Sequence, residues 1–252
     1  MINFKNIIEF TDNLSKLKKD SGNYFSTFCS NKTANKTTKF FSENYLILTS
    51  HTPLVLDDDS IYSNFYKILQ ELQDNYTLSD LATCVQRTIF GYFGSGMTQD
   101  DFRNYIYLNN WRNDKNTSIK DFKCLGISQC LERASVAHNL FKLLGLKSAL
   151  ISSDVYINNK QSLHCYNIIE YENQTYLVDF NRTSLNPAIL PQPIIEKLDI
   201  NSLSNSPFDD NKTFTITKPI VVSYVTKNNK SYTVEYIDNT LSNIDENANQ
   251  QI

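Results

Sequence analysis

"GISQCLERASVAHNLFKLLGLKSALIS" (residues 126–152) decides the fold, because a cysteine stands where a helical pattern begins. Cys130, Ala134, Ala137, Phe141 and Leu144 recur at steps of four and three, the spacing of one helix face. Gly145 closes the pattern as a C-terminal cap would, so a helix is expected over 129–145. "KSALISSDVYI" follows with strand content, placed at 148–157. A thiol at a helix start meets the positive end of the macrodipole and unpaired backbone N–H groups, both of which favour thiolate. The alternative role is a small apolar residue that fills the core.

Downstream, "SLHCYNIIEYENQTYLVDF" (162–180) reads as two β-rich runs about the turn Glu172-Asn173. With that turn Tyr171 opposes Gln174 and, further along both arms, Tyr166 opposes Asp179. His164 then lies on the Asp179 face, one diagonal away, about 7–8 Å between backbones and within side-chain reach. A three-residue loop would put the two on opposite faces unless a bulge restored them. Cys130, His164 and Asp179 thus supply, in chain order, a nucleophile, a base and a group that fixes the base's tautomer. His138 is a poor substitute, about 12 Å of helical rise from Cys130, and His51 has no carboxylate at a defined geometry.

The whole chain bounds these readings. It has 252 residues, a net charge of −3, 15 tyrosines, 15 phenylalanines and six glycines, an ordinary globular balance. That charge gives no case for nucleic acid, and "KLKK" (16–19) is read as a solvated helix face. Five cysteines without a CxxC pair fit a reducing compartment better than a disulfide framework. The N-terminal "MINFKNIIEFTDNLSKLKKD" lacks a signal peptide's charge order, and no run reaches transmembrane length. A cytoplasmic location is therefore expected, with export independent of a signal left open. "GYFGSGMT" (91–98) is read as a loop but lacks the Gly-Lys-Ser/Thr ending of a phosphate loop. Cys124, Cys130, His138, His164 and Cys165 match no common zinc spacing. No cofactor and no metal are expected.

Helices are expected over 3–20, with Phe4, Ile7, Ile8, Leu14 and Leu17 on a stripe, and over 61–76 and 79–93, the last with Ser79 as N-cap. Residues 44–56 suggest one or two short strands, 186–193 an irregular connector, and 218–237 a second hairpin around Lys-Asn-Asn-Lys. Helices first and strands afterwards indicate α+β. The expected division is a mainly helical region at 1–115, a core at 116–237 and a polar, disordered tail at 238–252.

The run from Gly126 to Ser152, followed by "LHCYNIIEYENQTYLVDF", resembles the core of the transglutaminase-like superfamily of papain-fold cysteine enzymes. The likeness covers 124–182, with supporting strands to 237. It implies a nucleophile helix packed on an antiparallel sheet or partial barrel, with Cys130 as nucleophile, His164 as base and Asp179 as orienting acid. Asn167 matches the asparagine frequent on the histidine strand. Cys165-Tyr166 departs from the common Ala-Trp, and Gln129 from a small or acidic residue. Gln86, Tyr92 and Trp111 are candidates for a side chain of the oxyanion hole, and the Cys130 N–H for a backbone donor.

The resemblance implies thiol-mediated acyl transfer or hydrolysis at an amide or thioester, with a protein or peptide substrate. Arylamine N-acetyltransferases share the triad and a strand similar to "TYLVDF", although their Arg-Gly-Gly run is replaced here by "LGISQ". A binding module that keeps the fold without the chemistry is the non-enzyme alternative.

Overall fold

In a computed structural model of the chain, the described residues are 7–20, 26–27, 54–56, 58–94, 117–125, 128, 130–181, 192–209, 216–225 and 231–236. Helix α1 spans Ile7–Asp20 and α2 spans Ser60–Leu69. On α1, Phe10 and Leu17 are buried and Leu14 packs beside them, so the buried stripe runs in steps of four and three. Ile7 and Ile8, expected on that stripe, fall to its side and are exposed. On α2 the same spacing buries Ile61, Phe65, Ile68 and Leu69.

Helix α3 covers Leu78–Phe93 and corrects two expectations. Its N-cap is Thr77 rather than Ser79. Thr77 Oγ1 accepts from the Asp80 N–H at 3.3 Å, and the Asp80 carboxylate accepts from the Thr77 N–H at 2.7 Å. This reciprocal box needs an acidic residue three places on, which Ser79, followed by Ala82 at that offset, cannot supply. Gly91, which the expected helix 79–93 and the expected loop 91–98 both included, is helical; the helix runs to Phe93 as expected and Gly94, with a φ of 72°, caps it. Residues 95–98 of the expected loop lie outside the described residues.

Strands β1 (Ser26–Thr27), β2 (Leu54–Val55) and β3 (Thr117–Ser118) form a small sheet, antiparallel between the first two and parallel between the last two. Helix α4, Ile119–Leu125, follows at once. Helix α5 is Cys130–Leu143. It ends as expected at Gly145, with φ 74°: the Gly145 N–H reaches the Lys142 carbonyl and the Leu146 N–H reaches that of Phe141, the paired bonds of a Schellman cap. A single buried face was expected and is not what α5 shows. Glu132, Arg133, Ser135 and Asn139 are buried too, and of its residues only His138 and Lys142 escape burial. Such a helix lies inside the molecule, between other helices and a sheet.

That sheet has six antiparallel strands and is open, in the order β7-β6-β5-β4-β9-β8. The strands are β4 (Lys147–Ile157), β5 (Lys160–Tyr171), β6 (Gln174–Asp179), β7 (Ile194–Lys197), β8 (Ile220–Val225) and β9 (Ser231–Tyr236). Two-residue turns join β4 to β5 and β5 to β6, at Asn158-Asn159 and Glu172-Asn173. All four residues have positive φ, the backbone of a type I′ turn whose twist matches the flanking strands. Tyr171 opposes Gln174 as expected. The second hairpin is present with its turn outside the described residues, and β7 adds an edge strand beyond the expected connector.

One apolar cluster joins α1, α2, α3 and α5 to Ile169, Tyr171, Val178 and Phe180 on one sheet face. A second covers the opposite face, with Ile151, Tyr166, Ile168, Leu177, Val234 and Tyr236. Each large side chain so buried contributes roughly 1.5–3 kcal/mol, so both faces are tied down. The class is mixed α+β. Among the described residues no helix is long and apolar enough to cross a membrane. Residues 238–252, expected as a tail, lie outside the described residues.

Candidate active site

The turns determine which way the strands point. In a two-residue hairpin the residues flanking the turn exchange hydrogen bonds, and bonded pairs then recur every second residue. From Tyr171, the bonds toward β6 fall to Ile169, Asn167 and then Cys165. From Lys160, those toward β4 fall to Ser162, His164 and Tyr166. The β5–β6 register stops at Asn167 opposite Val178, whereas β4 continues to pair past His164. Cys165 is therefore the first residue whose backbone faces β6 without an opposing strand residue.

Cys130 meets that break. Cys130 and Cys165 share a small buried cluster, and the Cys165 thiol, the His164 ring and the Cys165 backbone N–H are the groups that favour the Cys130 thiolate. His164 and Cys165 point to opposite sheet faces, since neighbours on a strand alternate. A thiol can contact both only at an interruption of the ladder, and the first turn of α5 supplies it there. Asn167 holds the helix in place: its side-chain amide donates to the Ala134 carbonyl at 3.0 Å, one turn beyond Cys130.

His164 and Asp179 are both buried and joined by a 2.6 Å hydrogen bond between Nε2 and Oδ2. With Nε2 on the carboxylate, Nδ1 is the ring nitrogen left for Cys130. The same Asp179 oxygen accepts from the Tyr236 hydroxyl at 2.7 Å, and Oδ1 accepts from the Asn181 N–H at 2.8 Å. Tyr236 reaches over from β9 and packs edge-on against Tyr166, with ring centroids 5.1 Å apart. Tyr166 lies nearly parallel to the His164 ring at 6.3 Å, and its hydroxyl accepts from Ser153 at 3.2 Å.

The electrostatics follow from these contacts. The Cys130 thiol is drawn well below its ordinary range: the Cys165 thiol, more than any other group, stabilises the thiolate, burial opposes it, and His164 adds to the lowering. Burial works against a charged His164, yet Asp179 and then Cys130 push the ring up to about 10. Burial would also raise Asp179, but His164, the Asn181 N–H and Tyr236 hold it below its ordinary value. The three shifts all favour the charged forms: a thiolate, an imidazolium and a carboxylate.

The approach to Cys130 is anchored by Arg133, itself buried. Its Nε donates to Ser128 Oγ at 3.0 Å, two residues before the cysteine, and a terminal nitrogen donates to the Gly94 carbonyl at 2.9 Å. Burial lowers this guanidinium to about 10, against the pull of Glu132 and Asp179, so it stays charged at neutral pH.

The structure thus brings Cys130, His164 and Asp179 together, with Asn167 behind them. The sequence left Tyr236, Arg133 and Cys165 without a place in the site. Of the oxyanion candidates, the Tyr92 hydroxyl bonds Asp58 at 2.8 Å. Gln86 is fully buried on α3, and among the described residues neither of its amide atoms has a hydrogen-bond partner; Trp111 lies outside the described residues, as does His51. His138 bonds Ser148 at 3.0 Å. Among the described residues no group of three His, Cys, Asp or Glu side chains is placed to hold a metal ion. No family model, no curated protein and no solved structure matches this chain.

Proposed function

We propose that the chain is a thiol-dependent acyl-transfer enzyme or hydrolase with the papain-like, transglutaminase-type arrangement, acting at an amide or thioester of a protein or peptide. One observation carries the reading: a buried His164 bonded at 2.6 Å to Asp179 through one ring nitrogen, with the Cys130 thiol near enough that each favours the charged form of the other. A nucleophile, a base and a group that orients the base are the parts this chemistry needs.

In the reaction, the Cys130 thiolate adds to the acyl carbonyl carbon. The negative charge that develops on oxygen is met by backbone N–H groups at the start of α5. Collapse expels the amine or thiol, to which His164 gives its proton, and leaves a thioester on Cys130. His164, now neutral, takes a proton from the incoming water or amine as it attacks that thioester. Asp179 keeps the ring in the tautomer that serves both steps, and Tyr236 and the Asn181 N–H keep the carboxylate ionised and aimed.

The test is intact-mass spectrometry after incubation with a panel of activated peptide esters, thioesters and glutamine-containing peptides. An acyl adduct on Cys130 whose formation depends on His164 is expected. No adduct with any member, or an adduct formed as fast by His164→Gln, would remove the enzyme reading.

A further inference from the structure

The Cys165 thiol is more than packing. It shares a small buried cluster with Cys130, Leu131, Ala134 and Leu150, and it points to the helix-bearing face of the sheet, where alanine would serve packing alone. Two thiols within one small buried cluster are the kind of neighbours that a sulfur–sulfur bond of ~2.05 Å can join. Cys130 is the one whose surroundings favour thiolate, the form that reacts with oxidants. Cys84 is the other cysteine whose side chain is described; it lies in the helical cluster.

We propose that Cys130 and Cys165 form a reversible disulfide in response to a hydroperoxide, switching the site off and shielding its sulfur from irreversible oxidation. The Cys130 thiolate attacks the outer oxygen of the peroxide and the O–O bond breaks. Sulfur loses two electrons and carries off the outer hydroxyl as a sulfenic acid; the remaining alkoxide or hydroxide takes a proton from the His164 imidazolium and leaves as an alcohol or water. The Cys165 thiol then attacks the sulfenic sulfur. A sulfur–sulfur bond forms, hydroxide leaves, and it takes up the thiol proton as water. The net change is two thiols and one hydroperoxide giving one disulfide, one alcohol and one water. A dithiol reductant reverses it. Without a neighbouring thiol the sulfenic acid can proceed to sulfinic acid, which such reductants do not restore.

This rests on Cys130 as a reactive thiolate, as in the proposed function, but not on acyl transfer. In the test, the reduced full chain is titrated with hydrogen peroxide, residual thiols are alkylated, and peptides are mapped without reduction. The tryptic peptide 124–133 holds both Cys124 and Cys130, so fragmentation between them must assign the bridge. A Cys130–Cys165 link, two hydrogens lighter than the two thiols and fully reversed by dithiothreitol, is expected. In Cys165→Ala, or Cys165→Ser if alanine impairs folding, a dimedone-trapped sulfenic acid or a sulfinic acid should accumulate on Cys130 instead. Sulfinic acid on Cys130 of the unaltered chain with Cys165 alkylated, a bridge to any other cysteine, or no oxidation of Cys130 overturns the proposal. Acylation of the reduced chain is measured alongside. A bridge without acylation rejects the acyl-transfer reading alone, and acylation without a bridge rejects the disulfide alone.

Discussion

Cys84 and Cys130 are both buried thiols on helices of one molecule, and they are driven in opposite directions. Cys84 lies on α3 among apolar side chains, where burial, its largest influence, pushes the thiol up to about 11. Cys130 is equally hidden from solvent, yet it falls well below the ordinary range because a thiol, an imidazolium and a backbone N–H converge on its sulfur. Burial penalises the thiolate in both places. What separates the two thiols is the break in the β5–β6 ladder, which leaves polar groups near one sulfur that favour its thiolate, while burial prevails at the other.

The harshest test of that contrast is to delete each thiol. Cys130→Ala should abolish the acyl adduct completely while the melting temperature stays within a few degrees, and Cys84→Ala should retain the adduct. Adduct formation by Cys130→Ala, or its loss with Cys84→Ala in a folded chain, would reverse the assignment. Next in size is Asp179→Asn. An amide can offer a donor where His164 needs an acceptor, and the equivalent change in a serine protease costs about 10⁴-fold. A loss of roughly 10²–10⁴ in acylation rate is expected, the thiolate being the better nucleophile. Wild-type rates in that variant would make the carboxylate structural.

Competition labelling with iodoacetamide sharpens the comparison further. At pH 7 a thiol near 11 is about one part in 10⁴ thiolate, but a low-pKa thiolate is intrinsically the weaker nucleophile. With its thiolate favoured, Cys130 should still be alkylated faster than Cys84. Equal rates would mean that the polar contacts do not hold in solution. Tyr236→Phe removes one of the donors on Asp179 and should cost about tenfold in acylation, the size of a hydrogen bond to a charged group, with the fold retained.

The smallest expected effect is on stability. His164 is raised from 6.5 to about 10, so its contribution is complete below pH 6.5 and is lost as pH rises through about 10. Comparing urea midpoints of Cys130→Ala with those of Cys130→Ala/His164→Gln isolates the pairing with Asp179. Their separation should shrink between pH 6.5 and 10; a constant separation would show that the folded chain does not hold the extra proton.

Much of this arrangement was legible in the sequence, for a reason of parity. A two-residue turn at Glu172-Asn173 allows one register, and that register puts His164 and Asp179 on a common face. Gly145 announced the end of α5 because few other residues adopt its backbone angle. Three things were not legible. Tyr236 lies 57 residues beyond Asp179, on a strand that pairs with β4 and not with β6, and only the assembled sheet brings them together. Alternation along β5 turns Cys165 away from His164, so its contact with Cys130 depends on where the ladder breaks, which periodicity does not record. Burying the Arg133 guanidinium is costly without partners, and those partners, Ser128 and the Gly94 carbonyl, belong to no helical spacing that a sequence pattern could reveal.

The position of Tyr236 also has a consequence in time. The hydroxyl that steadies Asp179 arrives on β9, the last of the described strands to be synthesised, long after Cys130 has left the ribosome. Until β9 docks against β4, the carboxylate lacks one of its donors and the far side of the sheet lacks its cover. Under the proposed function, a nascent or partly unfolded chain would carry a cysteine of ordinary reactivity, and rapid alkylation of Cys130 would report that the C-terminal strand is in place.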